Sequence, residues 1–162
     1  MEVGTRRMAY FNVTRHPTAD WTLQQFREVV TGEQPYRLRD NIYSSEFDSG
    51  LKGMGLKILK TPFRAPQANA FCERLVGTIR RECLDFLIPL NERHLRKILK
   101  EWVAHYNQSR PHSSLGPGIP EPSRGMPAPP VSGYAILCGH RVVGIPILGG
   151  LHHEYRLEKV AA

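Results

Sequence analysis

The stretch NERHLRKILKEWVAHYN, residues 91–107, carries the clearest structural signal in this sequence. Asn91 is a favourable N-cap residue, and apolar side chains then recur at the spacing of one helix face. That face consists of Leu95, Ile98, Leu99, Trp102, Val103 and Tyr106. The opposite face carries Arg93, Arg96, Lys97 and Lys100. The pattern predicts an amphipathic helix that buries one side and presents a basic side to solvent.

Working upstream, the pattern predicts a second long helix that begins at Gln67 and is interrupted by Pro89. Its apolar stripe is formed by Phe71, Leu75, Ile79 and Phe86. Before it, residues 56–60 (LKILK) alternate between apolar and charged side chains and therefore predict a strand. Residues 45–54 predict a short helix. Arg37 to Ile42 are consistent with either a strand end or a loop.

The N-terminal residues predict a turn, a strand and a helix in that order. Residues 4–7 are typical of a turn, and residues 8–13 (MAYFNV) favour a strand. Thr18 is placed to cap a helix whose apolar positions Leu23, Phe26 and Val30 follow at helical spacing. The first 115 residues are thus predicted to form one α/β domain.

The C-terminal part differs in composition from the rest. Residues 116–133 contain six prolines and four glycines in 18 positions, which predicts a linker without regular structure. Residues 134–162 contain short β-prone runs separated by glycines, consistent with either a small hairpin or a loosely ordered tail. His152 and His153 fall in this tail and are expected to lie in a polar loop, since no third metal ligand has suitable spacing.

Composition and charge restrict the classes of protein further. The chain has 162 residues, of which 41% are apolar, and no apolar run reaches the length of a membrane span. Three cysteines and the absence of a secretory signal predict a cytoplasmic protein. The net charge is +7, and residues 56–112 hold 11 Lys/Arg against 5 Asp/Glu. Such a surplus indicates either a nucleic-acid partner or a solvated basic surface.

A candidate chemical site surrounds Glu73. Asn69, Glu73 and Gly77 share one helix face, and Gly77 is expected to leave that face bare for a ligand backbone. Arg80 and Arg81 follow about two turns later. A carboxylate beside an open patch and arginines suits a divalent metal that bridges to phosphate. The alternative is a surface glutamate paired with Arg80 or Arg81.

Three motifs in this order resemble the integrase core of bacterial insertion-sequence transposases, DDE-type enzymes of the retroviral integrase superfamily. They are DNIYS at 40–44, PQANA at 66–70 followed by Glu73, and YNQSRPH at 106–112. The resemblance covers roughly residues 1–122. It implies a ribonuclease H-like α/β fold, in which helices flank a mixed sheet, and a site for Mg²⁺ or Mn²⁺. It also implies cutting and joining of DNA.

The resemblance assigns Glu73 to the family glutamate and Asp40 to the second aspartate as catalytic metal ligands. Only 32 residues separate them. Either Leu38 replaces the ligand, or a short deletion has moved it to Asp40. Residues 1–13 contain no counterpart of the first aspartate, so the expectation is an N-terminally truncated core that lacks its first central strand. We expect such a remnant to be inactive in strand transfer.

The predicted DNA contacts are mostly basic side chains, which bind the phosphate backbone without reading its sequence. They are Arg64, Asn69, Arg74, Arg80, Arg81, Arg96, Lys97, Lys100 and Arg110. For Arg110 and His112 two roles stay open: contact with DNA phosphate or fixing the end of the helix. Two alternatives stay open at this point. One is a non-catalytic nucleic-acid-binding protein that forms oligomers through the 91–107 helix, and the other is a basic structural protein.

Overall fold

The computed structural model describes residues 1–2, 4–30, 37–39, 45–59, 70–116, 118–122, 136 and 138–160, and for 37–39, 58 and 59 it describes the backbone alone. These residues form two compact units. The first consists of Met1 and Ala9–Glu92, and the second of Glu2–Met8 and Arg93–Ala162. The predicted sites Asp40, Arg64 and Asn69 lie outside the described residues, as does most of the predicted linker at 116–133.

The first unit contains three helices and a pair of short parallel strands. The helices are α1 (Ala19–Val29), α2 (Ser45–Gly53) and α3 (Ala70–Glu82), and the strands are β1 (Arg37–Arg39) and β2 (Lys57–Leu59). In the register of the two strands, Leu38 is opposite Ile58. Parallel neighbours joined through a helix are typical of α/β folds. This part of the chain is therefore consistent with the predicted α/β class.

A small apolar core holds α1 and α2 together. Phe47, Leu51 and Leu56 are buried, and side chains of α1 pack against them. The rings of Phe26 and Phe47 meet edge to face, with centroids 6.1 Å apart. Thr18 caps α1 as predicted, because its Oγ1 accepts a hydrogen bond from the Trp21 N–H at 3.1 Å.

The predicted strand at residues 8–13 does not form. Glu2 and Arg6 instead make a tight turn in which the Glu2 N–H donates to the Arg7 carbonyl at 2.8 Å. Met8 and Asn107 both belong to the second unit, and the Asn107 side chain, rather than a neighbouring strand, holds the backbone of Met8. At Met8, β propensity was overridden because the backbone N–H and carbonyl find their hydrogen-bond partners in the Asn107 amide.

The second unit contains α4 (Glu92–Gln108) and an antiparallel hairpin of β3 (His140–Ile147) and β4 (His152–Lys159). Helix α4 matches the prediction closely, with Ile98, Trp102 and Tyr106 buried on its apolar face. The hairpin realises one of the two alternatives left open for the tail. His152 and His153 belong to β4, opposite Ile147 and Pro146, so the expectation of a polar loop was wrong.

The hairpin turn is anchored on α4. Gly149 and Gly150 adopt positive φ, a conformation that costs little without a Cβ atom. Leu148 also has a positive φ of 52°, but its side chain is buried and its N–H donates to the Glu101 carboxylate at 2.5 Å. A second anchor joins His105 Nδ1 and Glu154 Oε1 at 2.9 Å, while the His105 and His152 rings stack. These contacts give the hairpin one side that faces α4.

Candidate nucleic-acid interface

Glu73 lies in the first turn of α3 with its side chain exposed. A carboxylate at this position interacts favourably with the helix dipole. The alternative of a surface ion pair with Arg80 or Arg81 is not observed: among the described residues, no ion pair includes Glu73. Arg80 is 3.3 Å from Asp85 instead. Glu73 is therefore open to a ligand on the solvent side of α3.

Gly77 does not leave a bare helix face, contrary to the sequence interpretation. The guanidinium of Arg81 folds back along α3, and a Cβ atom at Gly77 would stand 3.0 Å from Arg81 Nη1. Arg81 can take this position because residue 77 has no side chain. Its charge therefore lies on the same helix face as Glu73, one turn away.

The described residues do not provide a metal site at Glu73. Within the parts of the chain that the structure describes, no group of three or more His, Cys, Asp or Glu side chains could hold a metal ion. Two divalent ions require several oxygen ligands, and Glu73 supplies one carboxylate. The proposed pairing of Glu73 with Asp40 stays a prediction, since Asp40 is outside the described residues.

Basic side chains are exposed on both α3 and α4. On α3 these are Arg74, Arg80 and Arg81. On α4 they are Arg93, Arg96, Lys97 and Lys100, which we call the basic face of α4. Spacings of three and four residues place the members of the basic face side by side, opposite buried Ile98 and Trp102. Each helix thus presents basic side chains to solvent, and those of α4 form one continuous face.

The YNQSRPH motif has a structural role that sequence reasoning missed for Asn107. Asn107 is 6% exposed, and its amide makes two hydrogen bonds to Met8. Oδ1 accepts from the Met8 N–H at 2.9 Å, and Nδ2 donates to the Met8 carbonyl at 3.0 Å. The Asn107 carbonyl also accepts from the Glu121 N–H at 2.8 Å. A polar residue directly after the buried stripe was the signal that could have identified this clamp.

The rest of the motif surrounds the end of α4. The rings of Tyr106 and His112 meet edge to face, with centroids 4.7 Å apart. The Arg110 guanidinium lies over the Tyr106 ring at 5.8 Å, and the Arg110 N–H donates to the His105 carbonyl. These contacts place half-buried Arg110 at the helix end, in line with one of its two predicted roles.

Among the residues that the structure describes, no helix is both long and apolar enough to span a membrane.

Comparison with known proteins identifies the shared region. The integrase core domain family matches residues 54–120. An uncharacterized 39.2 kDa protein of insertion element IS476 from Xanthomonas euvesicatoria is 42% identical over 52 residues, 32% of this chain and 15% of the relative. Transposase InsD of insertion element IS2A/D/F/H/I/K from Escherichia coli is 35% identical over 63 residues, 39% of this chain and 21% of that protein.

The shared region is a small part of these relatives. The chain matches between 15% and 29% of the length of the first relatives found, and no solved structure matches it. The matched residues contain Glu73, the basic side chains of α3 and α4, and the YNQSRPH motif. The predicted resemblance is confirmed for this part of the chain: residues 54–120 are similar to the integrase core domain family, and the chain is similar to insertion-sequence transposases.

Proposed function

We propose that this chain acts in DNA transposition and binds duplex DNA through the basic side chains of α3 and α4. The observation that supports this proposal is the basic face of α4, which lies within the region that matches the integrase core domain family. Lys and Arg side chains that neutralise phosphates release counterions from DNA, and this supplies affinity that is independent of sequence. The same residues are exposed here and lie opposite a buried apolar stripe, so they are available without unfolding the helix.

We propose Asp40 and Glu73 as the residues that occupy the metal-ligand positions of the integrase core. Two observations support the assignment. Glu73 is exposed and unpaired among the described residues. In the sequence, Asp40 comes directly after β1, which ends at Arg39 and runs parallel to β2. This favours the interpretation in which the strand is shortened and Asp40, rather than Leu38, occupies the position of the metal ligand. Bound Mg²⁺ or Mn²⁺ would supply Lewis-acid activation of a phosphodiester.

We propose further that this polypeptide by itself binds DNA without transferring strands. Two carboxylates supply fewer contacts than a pair of divalent ions needs, and the described residues add no third ligand near Glu73. This also keeps the non-catalytic DNA-binding alternative open. Oligomerisation through α4 would present several basic faces to one duplex, and it stays a proposal as well.

DNA binding is tested by fluorescence anisotropy with a labelled duplex at several salt concentrations. The double variant Lys97→Gln/Lys100→Gln should weaken binding and reduce the slope of log affinity against log salt by about 2, because each phosphate contact contributes roughly 0.9. The matched control is Arg27→Gln/Lys52→Gln, which removes the same charge from exposed positions on α1 and α2. Equal losses in both doubles would contradict a specific basic face.

Catalysis is tested with an oligonucleotide strand-transfer assay in Mn²⁺ and in Mg²⁺. We expect no transfer products from the chain alone, and DNA affinity that is unchanged by EDTA. The comparison variants are Glu73→Gln and Glu28→Gln, both at exposed helix positions. Strand transfer that is lost in Glu73→Gln but retained in Glu28→Gln would refute the proposal that the polypeptide alone is inactive. It would also establish Glu73 as catalytic.

A further inference from the structure

The β3–β4 hairpin lies beyond residues 54–120, which match the integrase core domain family, and one of its faces is turned away from α4. Residues of β4 that contact α4, His152 and Glu154, alternate with residues that point to the other side. This second side, which we call the outer face, consists of His140, Val142, Gly144 and Pro146 on β3 and His153, Tyr155, Leu157 and Lys159 on β4. All of them except His140 are exposed. The hairpin therefore presents a sheet surface to solvent.

Aromatic rings lie at the centre of the outer face. Tyr155 is 72% exposed, and its ring stacks beside that of His153 with centroids 6.3 Å apart and planes 27° apart. Gly144 is opposite Tyr155 in the register, and a Cβ atom there would stand 3.4 Å from Tyr155 Cε1. The tyrosine ring thus leans over the glycine and forms a flat surface together with the imidazole.

Charged residues occur on both faces of the hairpin, and Arg141 and Arg156 lie on the same face as its two carboxylates. Both carboxylates of β4, Glu154 and Glu158, lie on the side that faces α4. Glu154 contacts His105, and Glu158 is 3.5 Å from Arg141. The outer face carries no carboxylate but has Lys159 and two histidines. A surface of this composition is complementary to an anionic ligand with aromatic groups.

The extent of the outer face argues against a second copy of the chain as its partner. Two paired strands of eight residues cover roughly 27 Å by 10 Å, or about 270 Å². A stable protein interface needs about 800 Å² on each partner. A single strand of nucleic acid needs far less, since stacked bases gain affinity one at a time on exposed aromatic rings.

We propose that the outer face of the hairpin binds single-stranded nucleic acid, with bases stacked on Tyr155 and His153 and a phosphate beside Lys159. Stacking on such rings tolerates any base, because every base has a π face. The proposal goes beyond the proposed function, which concerns duplex contact by α3 and α4. It does not require catalysis by Glu73.

The test measures the affinity of the full chain for a labelled 12-nucleotide oligo-dT and for a duplex. Tyr155→Ala should weaken oligo-dT binding by about five-fold or more, whereas duplex affinity should change by less than two-fold. Tyr155→Phe keeps the ring and should retain oligo-dT binding. The matched control is Phe86→Ala, which removes another exposed aromatic ring, 63% exposed, and should leave oligo-dT binding unchanged.

Several outcomes would overturn the proposal. One is that Tyr155→Ala leaves the affinity for oligo-dT unchanged. Another is that Phe86→Ala lowers the affinity for oligo-dT as much as Tyr155→Ala does. A change from dimer to monomer on size-exclusion chromatography, without a change in oligo-dT affinity, would indicate a protein partner instead. If Lys97→Gln/Lys100→Gln leaves duplex binding intact while Tyr155→Ala still weakens oligo-dT binding, the proposed function fails and this inference stands.

Discussion

The substitution Asn107→Ala tests whether the asparagine of the YNQSRPH motif is a structural clamp. The variant removes both amide hydrogen bonds to Met8, of 2.9 and 3.0 Å, and leaves the Met8 N–H and carbonyl without these partners. Met8 and Asn107 are each 6% exposed, so water does not readily replace the lost bonds. Leaving one buried polar group unsatisfied costs about 1–3 kcal/mol. For two such groups we expect a loss of about 2–6 kcal/mol in the free energy of unfolding.

The assay is urea unfolding followed by circular dichroism, together with hydrogen exchange at the Met8 amide. Gln108→Ala is the matched control, because Gln108 is the exposed neighbour of Asn107 on α4 and should cost less than about 0.5 kcal/mol. Exchange at Met8 should accelerate in Asn107→Ala and stay unchanged in the control. An Asn107→Ala variant with native stability but reduced DNA affinity would refute the clamp and indicate a direct contact with DNA.

Three further outcomes follow from the same geometry. Trp102→Ala, which empties a fully buried position on α4, should cost about 3–5 kcal/mol in urea unfolding, and a loss below 1 kcal/mol would contradict the observed packing. Glu101→Ala should accelerate hydrogen exchange at the Leu148 amide, since its carboxylate accepts that N–H, and unchanged exchange would exclude the anchor. Gly77→Ala should raise helix stability by at most about 1 kcal/mol and displace the Arg81 guanidinium, which the chemical shift of Arg81 Nε would report.

The helical parts of the fold could be predicted from the sequence because their signals are local. The apolar spacing in residues 91–107 placed α4 within one or two residues, and Thr18 marked the start of α1. The strand predicted at residues 8–13 was wrong for a non-local reason. The backbone of Met8 is satisfied by Asn107, 99 positions away in the chain, and no pattern within residues 8–13 records that partner.

In the candidate site, too, the local features could be predicted from the sequence and the side-chain contacts could not. The sequence placed Glu73 and the basic residues on helices, and the structure finds Arg74, Arg80, Arg81, Arg96, Lys97 and Lys100 exposed. The prediction that the helix face at Gly77 is open to a ligand was wrong, because the Arg81 guanidinium lies against that glycine. Pairing of Asp40 with Glu73 stays a prediction.

By itself, the sequence determined the amphipathic helices, the concentration of positive charge and the match to the integrase core, since each is encoded by residue type and spacing along the chain. Only the tertiary structure decided that Asn107 holds Met8, that Glu101 and His105 anchor the hairpin, and that the carboxylates of β4 lie on one side while Tyr155 lies on the other. The physical reason is that a hydrogen bond or a shared face depends on which residues meet in space. Folding brings together residues that are far apart in the sequence, and the local spacing of residue types does not encode those contacts.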